Sequence, residues 1–254
     1  MHNNTTELAK LMAEVGITHT HLALGPAFEP DGKAYLDAIE KQGWQLTATM
    51  IGFAQEDYST LETIRKTGGI VPDTCWEQNK KLVLDAIKLT ASLGAKYLEF
   101  HFGFIEMTNI VLADRARYLA DAAAKASVVL LMETGQETAM TLAEFLEKLE
   151  HPALAVNFDP ANMILYGKGE PTDAVKVLGR WIRHVHAKDA LRSPVAGQWG
   201  KEVAWGSGHV GGEVFLKTLK QTGFTGALSI EREAGASRVD DIKCAAKAMQ
   251  SFRG

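Results

Sequence analysis

The chain has 254 residues, of which 46% are hydrophobic and 23% charged, with a formal net charge of -4. That balance is ordinary for a globular protein and leaves no basic footprint for nucleic acid. No run approaches the length of a membrane span, and the N-terminus lacks a basic start followed by an apolar core, so neither a transmembrane helix nor a signal peptide is expected. Cys75 and Cys244 carry no metal-ligand spacing and are expected as free thiols in a reducing compartment, with the cytoplasm as the default.

Short apolar runs alternate with amphipathic helices along the chain. A helix over 6–15 ends at Gly16, and strand His19–Leu24 follows. Helix 33–42 leads through Gly43 to strand Gln45–Ile51. Asp73 or Thr74 can cap a long helix whose Val83, Ile87 and Ala91 recur on one face, closed by Gly94. Strand Tyr97–Phe102 and a helix over Asn109–Ala126 come next. Strand Val128–Met132 precedes a capping-box pattern, Thr141-Leu-Ala-Glu144. Strand Leu154–Phe158, helix 172–179, strand Ile182–Ala187, helix 212–222, strand Ala227–Ile230 and helix 238–252 complete the series. Two long connections, Phe53–Pro72 and Asp189–Gly211, follow strand C-termini and should overhang whatever those ends form.

This order predicts a single domain over 1–254, an α/β (β/α)8 TIM barrel one strand short of eight. The chain opens on a helix where a strand is due. Either the first strand lies upstream of Met1, or residues 1–5 supply a poor substitute. A gap would leave two strand edges open, which favours association and makes a homo-oligomer an expectation.

Glu133, Asp159, His186 and Glu231 each stand at or just past the end of an apolar run, about one, one and one and a half strand–helix units apart. Each has a plainer reading. Glu133 could cap a helix, Asp159 could close an Asx turn before Pro160, and a lone barrel histidine is often a satisfied core residue. Their convergence at strand ends instead makes an oxygen-rich site for a divalent cation. In His184-Val-His186-Ala-Lys188, alternation puts three polar side chains on one face, with His186 nearer the mouth and His184 hydrogen-bonded beneath it. Glu231 leaves the apolar run directly, whereas Glu233 suits a loop salt bridge. His101 reads as a substrate contact, and His19 and His21 flank Thr20 in a similar pattern. Trp44, Trp76 and Trp181 read as packing residues; Trp199 and Trp205 could wall a pocket. Lys188 and Arg192 could meet a phosphate or carboxylate, or pair with Asp189.

Glu133-Thr-Gly135, Asn157-Phe-Asp-Pro-Ala-Asn162, His184-Val-His-Ala-Lys-Asp189, the Gly206/Gly208 loop and Gly223-Phe-Thr-Gly-Ala-Leu-Ser-Ile-Glu231 together resemble the xylose isomerase-like TIM-barrel superfamily. The closer similarity is to its sugar phosphate isomerase/epimerase branch, which also holds ketose 3-epimerases and inosose-processing enzymes. The resemblance runs over about 6–252. It implies one divalent metal ion (Mn2+, Mg2+, Co2+ or Zn2+) on Glu133, Asp159, His186 and Glu231, with the two glutamates as the acid/base pair. Substrate contacts would fall to His101, Asn162, Lys188 and Arg192. Asn162 stands where the ketose 3-epimerases have a histidine, and Ala139 where they have a glutamate, so their particular specificity does not follow.

The implied activity is an isomerase or epimerase of carbohydrate metabolism, moving a proton through an enediolate of a ketose or related hydroxy-ketone. A metal-dependent dehydratase or lyase on a keto-sugar or inosose would use the same residues. An endonuclease IV-like phosphodiesterase would need several more histidine ligands and a basic face, and a sugar-binding barrel without catalysis would need no acid/base pair. The expected partner is a small sugar or keto-sugar, with no nucleic acid and no membrane.

Overall fold

A computed structural model describes residues 5–253. The chain opens with α1 (Thr5–Val15) and β1 (His19–Ala23), then α2 (Gly32–Glu40), β2 (Gln45–Met50), α3 (Leu61–Thr67) and α4 (Trp76–Ser92). It continues through β3 (Tyr97–Phe100), α5 (Ile110–Lys125), β4 (Val129–Glu133), α6 (Ala139–Leu149), β5 (Leu154–Phe158), α7 (Pro160–Leu165), α8 (Pro171–Leu178) and β6 (Ile182–Ala187). A hairpin of β7 (Asp189–Leu191) and β8 (Lys201–Val203) leads to α9 (Gly212–Gln221), β9 (Ala227–Ile230) and α10 (Arg238–Arg253).

Seven parallel strands pair in the order β1-β2-β3-β4-β5-β6-β9, giving a nearly closed TIM barrel. Among the described residues no strand joins β9 to β1, so the missing eighth strand is a seam between them. Unpaired edges normally invite association. Here α1 and α10 pack together beside it, and Lys243 of α10 pairs with Glu14 of α1. The idea that residues 1–5 replace a strand falls mainly outside the described residues; Thr5 itself is helical.

Alternation along the strands sorts side chains into two layers. Outward-facing Leu98, Phe100, Leu130, Val156, Phe158 and Val185 are fully buried under the helices, and Phe158 stacks on Phe215 of α9 with centroids 5.7 Å apart. Burying a residue of this size removes roughly 2–3 kcal/mol of unfavourable exposure. The inward layer is apolar only low in the barrel, where Leu131 and Ala155 meet Ala48. Above them it is polar.

Three local expectations are corrected. The Thr141 box does not open α6: Thr138 is the N-cap, and its hydroxyl accepts the Thr141 amide at 3.2 Å. Neither Asp73 nor Thr74 caps α4, which begins at Trp76. Asp73 instead pairs with Arg115, whose guanidinium also donates to the carbonyls of Ile70 and Val71 at 2.8 and 2.7 Å. Strand β3 stops at Phe100, because the next residues turn to meet the preceding loop: Ile70 N donates to Phe102 O at 3.2 Å. Gly69, with φ +65, makes that approach possible, since a Cβ there would lie 2.3 Å from Gly103 N.

Both long connections have structure of their own. The first holds α3; the second holds the antiparallel β7–β8 hairpin, which packs on α7.

Candidate active site

Strands β4, β5, β6 and β9 deliver Glu133, Asp159, His186 and Glu231 to one place: one ligand atom from each lies within 4.8 Å of the others. His186 Nδ1 stands 2.8 Å from Glu133, 3.2 Å from Glu231 and 3.8 Å from Asp159. Asp159 does double duty, because one carboxylate oxygen accepts the Asn162 amide at 3.0 Å and caps α7. Its other oxygen, Oδ2, and His186 Nδ1 are both buried and make no well-aligned hydrogen bond, although the Glu133 carboxylate faces that nitrogen. Buried polar atoms of that kind are rare in a folded protein.

Charge is balanced unevenly. Burial opposes ionisation of Glu133, but His101 and His186 overcome it and pull the carboxyl down to about 2. Burial likewise opposes ionisation of Glu231, and His186 and Lys188 hold it well below the carboxylate range. Asp159 is pushed up by its burial. Lys188 Nζ lies 3.0 Å from Glu231, 2.5 Å from Glu233 and 3.6 Å from Asp159. Three carboxylate oxygens and one ring nitrogen gathered at one point fit a divalent cation of oxygen and nitrogen preference.

Around this group the structure places residues that sequence reasoning weighed lightly. His101 Nε2 donates to Glu133 Oε2 at 2.7 Å, while its Nδ1 faces Glu56 at 3.4 Å and the hydroxyl of Tyr58. Glu56 and Tyr58 come from the first long connection, which therefore does reach the mouth. No local pattern marks them, since their partner is more than forty residues away. Glu99 is buried one layer down, and burial with the nearby Glu133 charge raises it to about 8. His21 crosses the barrel from β1 to within 3.1 Å of His186. His184 sits beneath, as its place on the strand implies.

Asp189 does not pair with Lys188 or Arg192. Its carboxylate accepts the amides of Ala190, Gly206, Gly208 and Val210 at 2.8, 2.9, 3.0 and 3.1 Å, pinning the second long connection. Gly208 is required there, as a Cβ would lie 2.2 Å from Asp189 Oδ1. Arg192 is instead bound to Glu170 at 2.6 Å. Glu202 of β8 receives Arg232 at 2.7 Å and the amides of Glu233 and Ala234 at 2.9 and 3.1 Å, clamping the turn after Glu231. Glu233, tied to Lys188, is the salt-bridge residue its position suggests. Asn162 is buried in α7, its Cβ close beneath Gly135. Trp205, partly buried, packs under Gly212 and against Phe215 at the edge of the core. Trp199 meets Tyr166 edge-on at 4.7 Å. Trp44, Trp76 and Trp181 pack on the core, and both cysteines are free.

Parallel strands in a nearly closed ring, with polar side chains gathered at their C-terminal ends, define a TIM-barrel protein. Residues 7–253 match the xylose isomerase-like TIM barrel family, and the chain belongs to it. A xylose isomerase domain protein from Planctomyces limnophilus is 30% identical, with a TM-score of 0.88 over 96% of this chain and 91% of that one. A xylose isomerase-like TIM-barrel protein from Mycobacterium smegmatis, in complex with magnesium, is 16% identical with a TM-score of 0.76 over 97% and 87%. D-psicose 3-epimerase from Clostridium cellulolyticum H10, with D-tagatose, is also 16% identical, with a TM-score of 0.68 over 98% and 92%. At that identity the last two show the fold alone. Among curated proteins there is no match. Among the described residues no helix is long and apolar enough to cross a membrane.

Proposed function

We propose that the chain is a divalent-metal-dependent sugar isomerase or epimerase that moves a proton on a ketose or related hydroxy-ketone. One observation carries this reading: four potential ligands from four strand ends converge, with the buried atoms Asp159 Oδ2 and His186 Nδ1 turned toward one another and in no well-aligned hydrogen bond. Glu133, Asp159, His186 and Glu231 would hold the cation. When bound, it supplies Lewis-acid polarisation of a substrate carbonyl.

Glu133 and Glu231 would act as the proton-transfer pair. They come from different strands and both face the cation position, so a substrate held there would have two carboxylates within reach. Proton removal by one and return by the other inverts a carbon, and return to the neighbouring carbon interconverts aldose and ketose. His101 orients Glu133 through its 2.7 Å hydrogen bond and would also touch substrate. Lys188 holds Glu231 ionised and could also meet a substrate oxygen. Asn162, buried beside Gly135, would lie beneath the substrate, and Arg192 would reach substrate by exchanging Glu170 for it.

The test is solvent exchange. Protein reconstituted with Mn2+, Mg2+ or Co2+ and incubated in D2O with a panel of ketoses and inososes should place deuterium on a carbon next to a carbonyl. Glu231→Gln should lower that exchange by about 10²-fold or more, the scale of lost general acid–base catalysis. Absence of exchange with every compound, in protein shown to bind the cation, would sink the proposal.

A further inference from the structure

Beside the candidate cation cluster, four loops bring together side chains that proton transfer does not use. Gln136 follows Glu133 on the loop between β4 and α6. Tyr166 lies just past α7, Trp199 ends the turn between β7 and β8, and Phe104 stands between β3 and α5. Tyr166 meets the Trp199 ring edge-on at 4.7 Å and the Phe104 ring edge-on at 6.1 Å. Its phenol feels the charges of His101, Glu133 and Lys188, which puts it at the margin of the cluster.

Two of these side chains hold buried donor atoms without an acceptor. Gln136 is 6% exposed, and its Nε2 makes no well-aligned hydrogen bond although the amide lies beside the Tyr166 phenol. Trp199 Nε1 is likewise buried with no partner. An amide NH2 and an indole N–H can only donate, and burying a donor unpaired is costly.

The loops are built to meet here. Gly135, with φ +133, lets the β4–α6 loop ride on α7, because a Cβ there would lie 2.4 Å from Asn162 Cβ. Gly200 does the same for the hairpin. Its amide donates to the Leu165 carbonyl at 3.2 Å, and a Cβ would lie 2.5 Å from the Leu191 carbonyl oxygen. Close packing of the loops does not call for polar ends, since methionine at 136 or phenylalanine at 199 would fill similar space without stranding a donor.

Neutral donors between aromatic faces suit hydroxyl oxygens on a carbon chain whose C–H edges pack on the rings. A phosphate would need a cation free to pair with it, and those nearby are engaged. Arg192 holds Glu170, and Lys188 holds Glu231 and Glu233. Lys168 lies 6.0 Å from the Phe104 ring centre, its charge set against the buried Glu137 carboxyl.

We propose that Gln136, Tyr166 and Trp199, walled by Phe104, form a subsite for the hydroxyl-bearing end of an uncharged sugar, the carbons farthest from its carbonyl. The placing of the carbonyl end rests on the isomerase or epimerase reading. Gln136 Nε2, the Tyr166 phenol and Trp199 Nε1 donate to substrate hydroxyls, and donors of this kind discriminate against a compound that cannot accept from them. Trp199 stands at the base of an exposed turn, residues 194–198, so its ring moves aside for an entering chain without disturbing a strand.

The experiment follows the tryptophan indole signals by 1H–15N correlation in protein with excess Mg2+, Trp199→Phe identifying the Trp199 signal by its loss. Unphosphorylated 2-ketohexoses and their phosphate esters are the probes, with deuterium exchange in D2O measured on the same samples. A free ketohexose should shift the Trp199 signal saturably, and at lower concentration than its phosphate ester. Gln136→Met and Trp199→Phe should each weaken binding of that ketohexose about 10-fold, the scale of one lost hydrogen bond, with Mn2+ affinity at the wild-type value. A Trp199 signal that no free ketohexose moves, or that only a phosphate ester moves, overturns the subsite, as does wild-type ketohexose affinity in both variants. Deuterium exchange without a shift at Trp199 leaves the proton-transfer reading standing and the subsite fallen. A saturable shift without exchange does the reverse.

Discussion

Lys188 and Glu231 meet at 3.0 Å at the ends of two adjacent strands, and the same ammonium reaches Glu233 and Asp159. One nearly fully buried lysine thus balances three carboxylates. Removing one partner of a buried ion pair costs about 3–5 kcal/mol, because the charges left behind are uncompensated. Lys188→Met should therefore lower the unfolding free energy of the metal-free protein by about that amount. Excess Mg2+ should recover part of the loss by binding the folded state only. Denaturant titration with and without Mg2+ reads both effects; a variant as stable as wild type in metal-free buffer would contradict this role.

Glu137 is buried just past the cluster on the β4–α6 connection, and burial raises its carboxyl from the ordinary 4.5 to about 8. Between those values the folded chain keeps a proton that the unfolded chain has released. Its contribution is therefore present at low pH and fades as pH rises toward 8. At about 1.4 kcal/mol per pH unit, Glu137→Gln should gain stability relative to wild type by a few kcal/mol between pH 5 and 8. Melting temperatures of both proteins across that range check it: a difference that does not change with pH removes the assignment.

Asp189 accepts four backbone amides and so fixes the loop carrying Gly206 and Gly208. Asp189→Asn turns one pair of those donors toward an NH2 group. The expected loss is about 2–3 kcal/mol, with faster amide hydrogen exchange at Gly206, Gly208 and Val210 and little change at β4 or β5. Uniform acceleration over the whole chain would show that Asp189 supports the fold generally rather than this loop.

Much of the barrel was legible from alternation and spacing. Strands β5, β6 and β9 fall where their apolar runs predict, and the one-strand deficit is real among the described residues. The choice of His186 over His184 followed from distance along β6, since both histidines share one face of the strand and His186 stands nearer its C-terminal end. What the sequence did not show depends on contacts between distant segments. Thr138 caps α6 because its backbone is still extended while Thr141 already lies inside the helix, and β3 ended early because Gly69 brings another loop against it. Glu56 and Tyr58 could not be assigned to His101 from position alone. Asp189 looked like a charge partner for Lys188 because they are adjacent, yet successive strand residues face opposite ways. Trp205 had no signal separating a pocket wall from a core residue.

The central claim is that Glu133, Asp159, His186 and Glu231 hold one divalent cation. Titration of free Mn2+ followed by electron paramagnetic resonance tests it directly. Wild type should bind one Mn2+ per chain, and Asp159→Asn and His186→Gln should each weaken that binding at least about 10-fold while melting cooperatively. No saturable Mn2+ site, or equal affinity in wild type and both variants, would contradict the claim.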